Sequence, residues 1–205
     1  MSGRFSLFVS YLFHPLLIPT YLLLILFHSD TYMAYVLSDS LQLIILVTVL
    51  LLTCIMPILS SFLLLRKQGI KNLMMEEKQE RNLPFLFTLL YYITCFYFLQ
   101  KLHVPSFIKV LILAATFSIG VALLINFFWK ISVHMIGMGG LTGALYSLSV
   151  ILYGNFQLEI LCAFILSGVV GSARLQKESH TPAQLYTGFI AGFMCEFIFI
   201  SYFMK

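Results

Sequence analysis

The chain has 205 residues, 60% hydrophobic and only 10% charged, with a net charge of +4 and a mean hydropathy of +0.98. Soluble domains carry about 25% charged residues, so this composition excludes an ordinary water-soluble fold, whose surface could not hide so much apolar area. No basic face interleaved with exposed aromatics is present, which argues against a nucleic-acid partner.

A helix that crosses a bilayer satisfies its own backbone groups and needs about 20 apolar residues. Apolar runs fall at 6–27, 41–65, 83–99, 107–128, 135–153, 158–172 and 183–204. They predict an all-α, polytopic transmembrane bundle of seven spans, or six if the first does not cross, forming one domain over residues 1–205. The first run follows Arg4 and continues to Phe27 with no small-residue cleavage site, so a retained helix is expected rather than a cleaved signal. It contains His14, Pro15 and Pro19. Proline breaks the helical ladder, so a kink is expected there, and His14 reads as a hydrogen-bonded packing residue. The sixth run is short for a crossing, and is either little tilted or extended by its neighbours.

Four cysteines, Cys54, Cys95, Cys162 and Cys195, lie inside apolar runs at no ligand or redox spacing, and read as small core residues. Small residues crowd the later runs: Gly139 and Gly143 in the fifth, Ser167, Gly168, Gly171 and Ser172 in the sixth, and Gly188 and Gly192 in the seventh. This spacing lets backbones approach closely and predicts that the last three spans form a tight group. Glu196 in the last run is costly unless it finds a partner.

Three polar stretches interrupt the apolar chain, at 66–81, 129–134 and 174–180. Two spans separate each from the next, so all three face one membrane surface. They carry Arg, Lys, Ser and His near helix ends, the residue types that recognise phosphate: a planar guanidinium fork, a lysine point charge and unpaired helix N–H groups. Thr181, Pro182 and Gln184 read as an N-cap, a first helical residue and a capping-box partner, with His180 just outside that helix. Two histidines on one face suggest a nucleophile and a proton donor. Ordinary interfacial polar residues are the alternative reading.

At these residues the chain resembles the type 2 phosphatidic acid phosphatase superfamily. That family's pattern runs from a Lys/Arg-Pro motif through Pro-Ser-Gly-His to Ser-Arg-x5-His-x3-Asp. Here Ala173-Arg174, five residues, His180 and then Gln184 are similar to the third motif, and the apolar stretch from Leu185 to Gly192 continues the likeness. Ser132-Val133-His134 is similar to the second motif, and Lys78-Gln79-Glu80-Arg81-Asn82-Leu83-Pro84 stands where the first belongs. The likeness covers about residues 66–192.

The resemblance implies hydrolysis of a lipid phosphate or pyrophosphate through a phosphohistidine, with no metal and no cofactor. His180 would be the nucleophile and His134 the general acid. Arg174, Arg81, Lys78 and Ser132 would bind phosphate, and Gln184 would orient His180. The implied partners are a lipid-phosphate substrate and membrane lipids; nothing bears on oligomeric state. Gln184 replaces the family's aspartate, Val133 replaces its glycine, and the first motif lacks the usual lysine spacing and Arg-Pro pair. Glu178 is a possible substitute for the missing aspartate. These departures keep open a catalytically degenerate lipid-phosphate binder or scaffold on the same fold. A small transporter using His14 and Glu196 is a third reading.

The expected location is the plasma (inner) membrane, as a multi-pass protein. Arg4, Arg66, Lys67, Lys71, Lys78, Arg81, Lys130, Arg174 and Lys177 fall on the motif face, against Lys101, Lys109 and Lys205 on the other. The positive-inside rule therefore puts the motifs in the cytoplasm, whereas many members of the family act on the outer face. The orientation stays open between the two.

Overall fold

The computed structural model of the protein describes residues 3–29, 35–71, 75, 77–152, 154–177 and 180–204. Its described residues form helices and connecting turns, with no strand among them. Seven helical segments are long and apolar enough to cross a membrane: Gly3–His28, Asp39–Arg66, Lys78–Lys101, Ser106–Phe128, Val133–Ile151, Gln157–Gln176 and Pro182–Phe203. The chain is thus an all-helical, multi-pass membrane protein. Leu43, Val47, Leu158, Ile165, Ile198 and Tyr202 stand exposed on its outside, as lipid-facing side chains should. Leu26, Ile45, Leu99, Ile108, Leu145 and Leu148 are fully buried between the helices.

The sixth span is extended by its neighbours, the second of the two expectations, to a full 20-residue helix. Its polar ends belong to it: Glu159 lies in the first turn and Arg174 in the last. Arg174 is turned inward and buried, so its charge does not end the helix.

The first span is broken where the prolines predict. Helix α1 (Gly3–Leu12) gives way to a single 3-10 turn (Pro15–Leu17) before α2 (Ile18–His28) resumes. Pro15 has no N–H to offer the preceding turn, and the His14 N–H bonds the Tyr11 carbonyl at 3.3 Å. The Ser10 carbonyl is thereby left without its helical donor. The second span is irregular at the same level: a π-helical turn at Leu51–Ile55 lies between α3 (Asp39–Leu50) and α4 (Met56–Arg66). Thr53 in that turn donates to the Leu16 carbonyl of the first span's break at 3.3 Å.

The remaining spans are α5 (Asn82–Lys101, entered through a 3-10 turn at Lys78–Arg81), α6 (Ser106–Phe128), α7 (Val133–Ile151), α8 (Gln157–Gln176) and α9 (Pro182–Phe203). Helices α7 and α9 make the closest pairing among the described residues. A Cβ on Gly139 would run into the Phe189 carbonyl oxygen, and one on Gly192 into the Ile136 carbonyl oxygen. The expectation of a tight group of three spans is corrected here. Helix α8 packs on α7 and on α1, and its Gly168 has open space where a Cβ would stand. The α8 glycines do not face α9: Gly171 lies against the Met135 side chain of α7.

One end of the bundle gathers the N-terminal helix, the turn before α5, the α6–α7 connection and the α8–α9 turn. Cross-links tie these pieces together. Ser6 donates to Gln176 Oε1 at 2.6 Å. Arg81 Nη1 donates to the Ile131 carbonyl at 3.2 Å, and Asn126 Nδ2 donates to the Lys78 carbonyl at 2.7 Å. The three polar stretches therefore meet at one end, as the span count requires.

Candidate functional site

A cavity of about 680 Å³ runs inward from that end, within the range of about 300–1,000 Å³ common for small-molecule sites. Its outer part is lined by Arg81, His134, Arg174, Lys177 and His180, with Ser10 and His14 of the first span. Farther in, the walls are apolar, built from residues such as Leu22, Leu59, Ile112, Ile119 and Leu141.

His180 is held by the start of α9. Thr181 caps that helix, accepting the Gln184 N–H on Oγ1 at 3.4 Å, and Gln184 Oε1 accepts the Thr181 N–H at 3.2 Å, completing the capping box. The same oxygen lies 3.1 Å from His180 Nδ1. Because Oε1 is fixed as an acceptor by Thr181, the proton of His180 sits on Nδ1, and Nε2 carries a free lone pair. His180 is buried. Burial lowers its pKa from 6.5 to about 4; the Gln184 bond opposes this, and the charges of Arg81, Arg174 and Lys130 add to the lowering. The ring is neutral at physiological pH. Lys177 beside it is also held below its ordinary value, first by desolvation and then by the charge of Arg174.

His134 stands in the first turn of α7. Its Nε2 lies 3.1 Å from the Ser10 carbonyl, the oxygen freed by the break in the first span. A carbonyl only accepts, so Nε2 carries the proton and Nδ1 is the open atom. The His14 ring meets that of His134 edge to face, with centroids 5.5 Å apart. His14 Nδ1 accepts the Leu16 N–H at 3.4 Å. His14 thus both packs on His134 and stands on the cavity wall, next to the break that Pro15 makes in the first span.

Two buried guanidinium groups face this space. Arg81 is anchored by Nε to the Met75 carbonyl at 2.8 Å and by Nη1 to Ile131. Arg174 has no hydrogen-bond partner for its Nε among the described residues. The single ion pair among the described residues joins Lys71 to Glu77, both exposed, so neither buried arginine is neutralised by a described carboxylate. Buried guanidinium groups with no described carboxylate beside them favour an anionic ligand.

The structure separates two of the expected phosphate ligands from the cavity. Lys78 donates through Nζ to the Phe127 and Phe128 carbonyls at 3.1 and 3.2 Å, closing the C-terminal end of α6, and is not part of the cavity wall. Helix ends leave four carbonyls without donors, and a lysine there also suits the helix dipole. Ser132 is fully buried, its Oγ without a partner among the described residues, and it too is absent from the wall. Its carbonyl packs against Gly188, so the α7–α9 contact encloses it. Gln184 reaches the cavity only through His180. Glu178 lies outside the described residues. Lys177, which the motif reading did not assign to the site, does line the cavity.

The cysteines are free; Cys54 and Cys95 are buried, Cys195 is half-buried and Cys162 is exposed, so Cys162 is no core residue. Among the described residues, no group of three His, Cys, Asp or Glu is placed to hold a metal ion. Comparison with protein-family models, with curated proteins and with solved structures gave no match to this chain.

Proposed function

We propose that this protein is a membrane-embedded phosphatase, divergent from the type 2 phosphatidic acid phosphatases, that hydrolyses a lipid phosphate or pyrophosphate through a phosphohistidine on His180. One observation carries the reading: a neutral, buried His180 with Nδ1 tied to Gln184 and Nε2 free, beside Arg81 and Arg174, at the head of an apolar cavity. The arginines hold the phosphoryl oxygens. His180 Nε2 attacks phosphorus, the N–P bond forms and the P–O bond to the lipid alcohol breaks. Binding of the anionic head group favours a second proton on His134, at Nδ1, while its Nε2–H stays on the Ser10 carbonyl; His134 gives the leaving oxygen that Nδ1 proton and returns to the neutral ring. Water then attacks phosphorus, His134 takes back a proton, and phosphate leaves with His180 restored. Acyl or prenyl chains lie in the apolar part of the cavity.

A second reading, a non-catalytic lipid-phosphate binder, draws on Gln184 standing behind His180 where the family has an aspartate, with no carboxylate there among the described residues. Glutamine accepts the Nδ1–H but offers no charge to the cationic ring that forms on phosphorylation. In serine proteases the loss of an orienting aspartate's charge costs about 10⁴ in turnover.

The test is phosphate release by the purified protein in detergent, with EDTA present, from phosphatidate, phosphatidylglycerophosphate and a polyprenyl pyrophosphate. Release that is lost in His180→Ala supports the phosphatase. Release no greater than that of His180→Ala on every substrate, with lipid-phosphate binding retained, leaves the binder.

A further inference from the structure

The cavity has a second polar pole. Glu196 of α9 lines its inner part and is 5% exposed, and its Oε2 has no hydrogen-bond partner among the described residues. Gly140 of α7 backs it: a Cβ there would lie 3.4 Å from Glu196 Cγ, so the carboxyl group is supported from behind by a helix stripped of side chain. Thr88, Tyr92 and Ser118, all buried, line the same cavity. Thr88 spends its own proton on the Pro84 carbonyl at 2.7 Å, which leaves its oxygen to accept.

The two poles are far apart. Glu196 follows Pro182 by fourteen residues along one helix, roughly 21 Å at about 1.5 Å per residue. In a hydrocarbon core about 30 Å thick this is past the midpoint. An unsatisfied carboxyl group at such a depth costs several kcal/mol unless something hydrogen-bonds to it. Glu196 Oε2 thus stands open, at this depth, to a hydrogen-bonding group.

We propose that Glu196 is the floor of a second subsite, which takes a hydroxyl group carried far along the apolar chain of a phosphate-headed ligand. The proposal rests on the lipid-phosphate reading of the cavity's head. A hydroxyl suits Glu196 in either form: it donates to a carboxylate, and it both donates to and accepts from a protonated carboxyl. A cationic group is disfavoured, because the head it would pass is lined by Arg81, Arg174 and Lys177. The ligand class is an amphiphile with an anion at one end and an alcohol toward the other, its apolar length set by the separation of Arg174 and Glu196.

The test uses hydrolysis-resistant probes: n-alkylphosphonates from dodecyl to octadecyl and their ω-hydroxy counterparts, titrated against the purified full chain in nanodiscs. At the best-fitting length the ω-hydroxy compound should bind the native protein at least tenfold tighter than the plain one. Glu196→Leu should erase that preference without weakening the plain compound, and Glu196→Gln, which keeps the shape and a polar head, should retain part of it. Equal affinities across the series, or a preference that survives Glu196→Leu, overturns the subsite. Failure of the head-group reading looks different: plain alkylphosphonates then do not bind, or bind Arg174→Gln as well as the native chain, and the subsite proposal falls with it.

Discussion

Gln184 Oε1 accepts two protons at once, from the Thr181 backbone at 3.2 Å and from His180 Nδ1 at 3.1 Å. One oxygen thus closes the cap of α9 and fixes the tautomer of the histidine outside it. Gln184→Ala removes both functions. It should cost about 1 kcal/mol of stability, as caps do, visible as a lower detergent Tm, and should lower phosphate release well beyond tenfold. Gln184→Glu keeps the acceptor geometry and adds charge behind the ring; release at least tenfold faster than the native rate is expected from it.

The titration of His180 has a defined sign. Its folded-state pKa is about 4 against about 6.5 for a free histidine. Between those values the unfolded chain binds a proton that the folded chain refuses. This contribution to stability is complete above pH 6.5 and is lost as pH falls toward 4. Thermal unfolding should show the native protein losing more Tm between pH 7 and pH 4.5 than His180→Gln loses. The acid limb of kcat/KM should lie near pH 4 to 5, and a limb at 6.5 would contradict a buried, neutral nucleophile.

Arg174→Gln should weaken binding of a lipid phosphate about tenfold to a hundredfold, the scale of a charged hydrogen bond of about 1.5–3 kcal/mol. Binding titrations with a hydrolysis-resistant phosphonate read this directly.

Lys78→Ala is the contrasting case. Because Lys78 Nζ is spent on the Phe127 and Phe128 carbonyls, the variant should change phosphonate affinity less than twofold. A loss comparable to that of Arg174→Gln would return Lys78 to the list of ligands.

The α7–α9 contact makes a stability prediction. Gly192→Val places a side chain against the Ile136 carbonyl and the Gly140 nitrogen. Overpacking of this kind costs about 1–3 kcal/mol or more, and since the pair also sets the spacing of His134 and His180, folded yield in detergent should drop sharply. Gly168→Val meets open space and should be tolerated.

The seven crossings were legible because a lipid-exposed helix writes its length as an apolar run. The cap of α9 was legible for a different reason: Thr181, Pro182 and Gln184 interact within one turn, so spacing alone determines them. That Lys78 and Ser132 stand apart from the cavity was not legible, because the groups they meet are remote in sequence. The carbonyls that engage Lys78 belong to Phe127 and Phe128, and Gly188, which encloses Ser132, lies two crossings away. No local pattern encodes such meetings. Composition likewise could show that Glu196 was expensive, but only the packed helices show that it faces a cavity.

The interruption of the first span has a consequence for how its part of the chain can be exchanged. The Ser10 and Leu16 carbonyls, which flank the break, are gripped from elsewhere by His134 and Thr53. A chimaera whose leading 28 residues came from an unrelated membrane anchor would still insert, and would lack both handholds. Even Pro15→Ala, by offering the chain an unbroken ladder, would set the His14 N–H in competition with His134 for one oxygen. What looks from outside like a tether is a working part of the machine's frame.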